Sequence, residues 1–175
     1  CCHNPSGMDL NQQQWRELAE LAVEVGFMPV IDMAYQGFSD GLEEDAYGLR
    51  LMADAVEEMI FCSSCSKNFG LYRERIGACS IIAKSASAAE IVQSVLYPIV
   101  RVNYSMPPAH GAAIVETILN SSELSAQWHG ELKEMRDRIN AMRHLLVDTL
   151  SAKGVTQDFG FITEQKGMFS FLGID

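Results

Sequence analysis

The chain has 175 residues, 48% of them hydrophobic and 21% charged, which is enough for one substantial core and too few charges for a disordered segment. A net charge of −10 argues against nucleic acid or an anionic membrane surface as partner. No apolar run approaches the roughly 20 residues of a membrane span, and no basic-plus-apolar signal segment is seen.

Five cysteines, an odd number scattered over a chain too large to need staples, predict reduced thiols in a cytoplasmic protein. The chain opens on CCHNPSG without a Met and stops at FSFLGID on a strand-like pattern. Both ends read as cut, so a piece of a longer polypeptide is expected.

Leu10, Trp15, Leu18, Leu21, Ala22 and Val25 recur at helical spacing, with Asp9 as the expected cap and Gly26 as the stop. An apolar strand follows from Phe27 to Met33, ending in a loop that carries Tyr35 and Gly37. A second helix is predicted from about Glu43 to Met59, with Leu49, Met52, Ala53 and Val56 on one face. Met59 to Cys65 reads as a short buried strand, and Gly77 to Ala83 as another. Helix alternating with uninterrupted apolar strand predicts a parallel sheet buried on both faces, an α/β architecture. Ligands of such sheets collect at the carboxyl ends of the strands, where Asp32, Tyr35 and Lys67 fall.

The second half is helical. Ser85 to about Val102 carries Ile91, Val95, Ile99 and Val102, with Pro98 as a kink or break. A helix from about Ala109 to Leu119 follows the SMPPAHG loop. Glu123 to Ala152 then carries a stripe of Trp128, Leu132, Met135, Ile139, Met142, Leu146 and Thr149, spaced like heptads on a rod of roughly 45 Å.

Within SSCSKNFGLYRERIG (Ser63–Gly77), Lys67 stands among small and apolar residues, with no charge nearer on its N-terminal side than Glu58. A strand-end lysine of this kind is expected to be partly desolvated, which favours the neutral amine that Schiff-base nucleophiles need. The alternative is a lysine snorkelling from a strand end. Asp32, buried at its strand end, requires a partner: a protonated heterocyclic nitrogen, or a backbone amide or arginine. Tyr35 shares its site or simply packs there. Ser64, Ser66 and Arg75 offer two hydroxyls and a guanidinium for a phosphate; with Arg73 and Glu74 alongside, a surface ion-pair cluster is the other reading. Metal is not expected. Cys62 and Cys65 form one CxxC inside a strand, and Cys1, Cys2 and His3 lie far away, unlike the paired spacing of a zinc site. Neither phosphate-binding glycine-rich loop is present.

In order, HNPSG (His3–Gly7), DMAYQGF (Asp32–Phe38), SSCSKNFGLYRERIGA (Ser63–Ala78), VRVNYSMPPAHG (Val100–Gly111) and GMFSF (Gly167–Phe171) resemble the class I aminotransferases, in their aspartate and aromatic amino acid branch. The resemblance covers essentially the whole chain. It implies the fold type I of pyridoxal-phosphate-dependent transferases: the later part of a large domain (1–121), an inter-domain helix (122–153) and the start of a small domain (154–175), expected to be its first strands.

It also implies that pyridoxal 5′-phosphate is carried as a Schiff base on Lys67. Asp32 would then face the pyridinium nitrogen, Tyr35 and Asn4 the phenolic oxygen, and Ser64, Ser66 and Arg75 the phosphate. Arg101, with Ser105 nearby, would grip a substrate's distal carboxylate across a homodimer interface, and Asn4–Pro5 would be cis. The implied reaction is ping-pong transfer of an amino group between L-aspartate or an aromatic amino acid and 2-oxoglutarate. Cys65 stands where relatives often carry an aromatic residue, and Met106 where Asn or Ser is usual, which leaves the substrate preference open. The N-terminal arm, the rest of the phosphate cradle, the residue stacking on the ring and the α-carboxylate arginine have no counterpart in these residues. Two alternatives stand beside this reading: another chemistry of the same cofactor, such as a lyase or decarboxylase, and a dimerising fragment without activity.

Overall fold

The computed structural model describes residues 2–174. Cys1, weighed above as part of a metal cluster, and Asp175, the end of the expected small-domain segment, lie outside them.

The first helix, α1 (Gln12–Val25), begins later than expected. Asn11 is its cap and forms a reciprocal capping box with Gln14, while the Asp9 carboxylate accepts instead from the amides of Cys2 (2.7 Å) and His3 (3.3 Å). Gly26 closes α1 in the left-handed conformation (φ 74°). The sheet has three strands in the order β1 (Val30–Met33), β2 (Met59–Ser64), β3 (Gly77–Ile82). Alternation along β1 sends Ile31 and Met33 into a core with Ala19, Ala22, Ala46, Met52 and Met59. The opposite face, carrying Val30 and Asp32, is open: Val30 is 65% exposed. The sheet is therefore covered on one side of β1 rather than both.

β1 and β2 are parallel, as the pattern predicts. β3 instead runs antiparallel to β2, because residues 65–76 hold only turns and no crossover helix that could return the chain in the same direction.

The helix expected from Glu43 to Met59 is two, α2 (Leu42–Asp45) and α3 (Tyr47–Ala55). The division falls where Asp45 turns back on the preceding loop. Its carboxylate accepts from the amides of Gly37 (2.7 Å), Ser39 (3.1 Å), Asp40 (2.9 Å) and Gly41 (3.4 Å). α3 ends at Val56, which is extended, and Met59 opens β2 as a fully buried strand residue. α1 packs on α3 so closely that a Cβ on Gly48 would lie 2.1 Å from the Trp15 ring, which leaves room only for glycine.

α4 (Ala86–Asn103), capped by Ser85, runs through Pro98 without a break. The carbonyl of Ser94, which Pro98 cannot serve, belongs to an exposed residue open to water. α5 (His110–Asn120) and α6 (Ser122–Ala152) follow. Only part of the stripe on α6 is covered. Leu132 is buried with Cys2, Tyr35 and Phe38, and Trp128 and Ile139 pack beside them, whereas Met135, Met142 and Leu146 are exposed.

Beyond α6 the described residues form a 3-10 turn (Gly160–Glu164) and no strand, contrary to expectation. Side chains satisfy this backbone in place of a neighbouring strand. Gln165 donates from Nε2 to Phe171 O (3.0 Å) and accepts from Phe171 N (3.1 Å), and buried Arg143 donates to the carbonyls of Gly167 and Phe169. No helix among the described residues is long and apolar enough to cross a membrane.

Candidate active site

β1 and β2 end side by side, with Asp32 registered on Cys62 and Met33 on Ser63, so the segments leaving them share one rim. Tyr35 leaves β1 and turns into the second core, where it is 5% exposed. Lys67 leaves β2, half-buried, and its Nζ lies 4.7 Å from the centroid of the Tyr35 ring. From the N-terminal turn, Asn4 Nδ2 donates to the Tyr35 hydroxyl at 3.3 Å, and the Asn4–Pro5 bond is cis. An amine, a phenol and a carboxamide from three distant parts of the chain thus meet.

Asp32 lies on the open face of β1 and is exposed, where burial was expected. Strand alternation explains this: the odd-numbered neighbours Ile31 and Met33 take the core side. Among the described residues Asp32 makes no hydrogen bond or ion pair, so its carboxylate is available to a ligand laid on that face. Ser64 ends β2, and its hydroxyl accepts from the Ser66 amide (3.1 Å); Ser66 is 5% exposed.

Arg75 is exposed and holds a left-handed backbone (φ 53°), with Nη1 donating to Tyr72 O (3.0 Å). It forms no ion pair among the described residues. The acid beside it, Glu74, pairs with His110 instead (2.8 Å), so the ion-pair cluster weighed for this stretch does not claim the Arg75 guanidinium. Arg101, in the last turn of α4, and Ser105, left-handed at φ 67°, are exposed and share no hydrogen bond, ion pair or ring contact with the Lys67 group among the described residues.

Several neighbours carry no sequence signal of their own. Phe169 meets the Tyr35 ring edge-on (centroids 5.7 Å apart). Asn68 is buried, donates to Gln36 O (3.3 Å), and accepts at its backbone carbonyl from the Trp128 indole (2.7 Å). Phe69 stacks on Trp128 at 4.2 Å. Trp128 shows in the sequence only as a member of the α6 stripe.

Chemically, the group combines a half-buried amine beside a phenol, an exposed carboxylate across the rim, and two hydroxyls followed by a guanidinium. The aminotransferase class I and II family model matches residues 1–175. The chain belongs to that family. It is 55% identical over 174 residues to an aspartate aminotransferase of Salmonella typhi, covering 99% of this chain and 44% of the relative. To an aromatic-amino-acid aminotransferase of Paracoccus denitrificans it is 46% identical over 173 residues, with 99% and 44% covered. Among solved structures it superposes with a TM-score of 0.97 and 50% identity on an aromatic-amino-acid aminotransferase from Burkholderia pseudomallei covalently bound to pyridoxal phosphate, covering 99% of this chain and 44% of that one. The fold is that of the pyridoxal-phosphate-dependent aminotransferases, and these residues form part of its large domain. The chain spans less than half the length of the relatives it matches.

Proposed function

We propose that this chain provides the cofactor-anchoring half of a pyridoxal-phosphate-dependent aminotransferase that moves an amino group between L-aspartate or an aromatic amino acid and 2-oxoglutarate. One observation carries the reading: Lys67 Nζ sits over the ring of Tyr35, whose hydroxyl is held by Asn4.

The donor set fits the cofactor. Lys67 supplies the amine for its carbonyl carbon. Tyr35 and Asn4 serve its phenolic oxygen, Asp32 its ring nitrogen, and Ser64, Ser66 and Arg75 its phosphate. The left-handed backbone at Arg75 is a local cost of the sort retained where a side chain must be aimed. When bound, the cofactor supplies an electron sink for a substrate carbanion and a carrier for the amino group. Asp32, which makes no hydrogen bond or ion pair among the described residues, would offer its carboxylate to the ring nitrogen. Once the substrate's amino group had displaced it from the cofactor, Lys67 Nζ would be the free amine that takes the proton from the substrate's Cα and returns it at the cofactor's carbonyl-derived carbon. Tyr35 orients its hydroxyl through Asn4 and bears against the amine with its ring. Arg75 contributes a fork of donors to a phosphate.

Residues 1–121 are read as large domain, 122–153 as the helix toward a small domain and 154–175 as that domain's beginning. Arg101 and Ser105, which share no hydrogen bond or ion pair with Lys67 among the described residues, would serve the site of a second copy in a homodimer. Exposed Ile91, Val95, Ile99 and Val102 on α4, which has no fully buried residue, favour such a partner. The four described cysteines are unpaired, in keeping with a cytoplasmic setting.

The test is borohydride reduction of the cofactor-loaded protein followed by peptide mapping. The label is expected on Lys67, and a label on Lys84 or any other lysine overturns the assignment.

A further inference from the structure

β2 and β3 place two cysteines directly opposite one another, Cys62 and Cys79. Their row can be typed from the ladder. Cys65 N donates to Ile76 O (3.1 Å), which makes that pair a hydrogen-bonded row. Antiparallel rows alternate, so three rows along, Cys62 and Cys79 form a non-hydrogen-bonded pair, where the Cα atoms stand about 4.5 Å apart and the side chains come closest. A disulfide spans Cα separations of about 4.4–6.8 Å, so this row is within its range.

The sequence-adjacent pairing is excluded by the same geometry. Cys62 and Cys65 are three strand positions apart, about 10 Å along the chain, with side chains on opposite faces. Burial first, then the Cys79 thiol beside it and the Asp32 carboxylate, raise the Cys62 thiol above the usual thiol range. Cys79 is exposed, so it is the thiol an oxidant meets first.

We propose that Cys62 and Cys79 form a reversible oxidation site, at which a peroxide converts two thiols into a cross-strand disulfide. The Cys79 thiolate attacks one oxygen of hydrogen peroxide, the O–O bond breaks, and sulfenic acid and one water result. The Cys62 sulfur then attacks the sulfenic sulfur, the S–O bond breaks, and a second water leaves with the Cys62 proton. In sum, two thiols lose two electrons and two protons to one peroxide. The row continues through Cys62 to Asp32 on β1, so the new bond would form beside the carboxylate assigned to the cofactor. The inference itself rests on strand register and stands apart from the transaminase reading.

The experiment treats the intact protein with hydrogen peroxide, alkylates remaining thiols under native and then denaturing conditions, and maps peptides by mass spectrometry. One cross-linked peptide pair joining Cys62 to Cys79 is expected, lighter by two hydrogen atoms and released by dithiothreitol. Cys79→Ser should abolish it, and Cys65→Ser should leave it unchanged. If a variant fails to fold, the wild-type map still decides. Both cysteines recovered as alkylated thiols after oxidant has modified Cys2 or Cys65, or a disulfide joining any other pair, overturns the proposal.

Discussion

At the scale of single residues, the candidate site was largely legible in the sequence because its chemistry sits at strand ends. Asp32, Tyr35 and Lys67 were placed on one rim by pattern alone, and the structure brings Tyr35, Lys67 and Asn4 together. What could not be read was exposure. Asp32 follows an apolar run and reads as buried, yet strand alternation turns it to the open face. Phe169 and Trp128 were illegible as site neighbours, since packing across more than fifty residues leaves no local mark. If Asp32 is the anion that keeps a ring nitrogen protonated, Asp32→Asn should retain cofactor, seen by its visible absorbance. Its kcat should fall by roughly a hundredfold or more, the cost of losing a placed electrostatic partner. Near-normal turnover would remove Asp32 from that role. Lys67→Ala should abolish turnover and the borohydride-fixed label together.

Elements were read well where local patterning decides and poorly where a side chain reaches elsewhere. The boundaries of α5 and α6 and the placing of β2 and β3 follow from periodicity and caps. The division between α2 and α3 does not, because it depends on Asp45 gathering four amides of the preceding loop, a tertiary demand that overrides helix propensity. Asp45→Ala should strand those donors in a site where Asp45 is only 7% exposed, lowering stability by about 3 kcal/mol, read from the denaturant midpoint. The tail segment is a second case. Arg143, with no acidic partner among the described residues, holds the carbonyls of Gly167 and Phe169 and the Ser170 hydroxyl (3.1 Å). Arg143→Met should raise amide exchange and protease cutting across residues 165–171 while the exchange of α1 and the sheet stays unchanged. Equal loosening everywhere would mean that Arg143 supports the whole fold.

At the scale of the whole molecule, Arg101 and the apolar side of α4 are exposed, and the proposed dicarboxylate substrate class rests on Arg101. A guanidinium fork pairs with a carboxylate in a way that a neutral side chain cannot. In the intact protein, Arg101→Leu should lower kcat/KM for aspartate and 2-oxoglutarate by roughly tenfold to a hundredfold, with phenylalanine far less affected. Equal losses for both classes would make Arg101 structural.

The turn that carries Asn4 is fastened by residues far along the chain. Lys166 N donates to Gly7 O (2.7 Å), Lys166 Nζ pairs with Asp40, and a Cβ on Gly7 would collide with the Phe169 carbonyl at 2.6 Å. Phe169 in turn meets Tyr35, to which Asn4 donates. Synthesis proceeds from the N-terminus, so on the ribosome Asn4 emerges long before the segment that fixes it, and α6 must be complete before the two can meet. The Lys67–Tyr35 contact depends on nearer pairings and can form while residues 160–171 are still being made. Amine and phenol are therefore assembled ahead of the carboxamide that donates to the phenol, and a ribosome-stalled chain ending before residue 160 should hold the first pair without the third member.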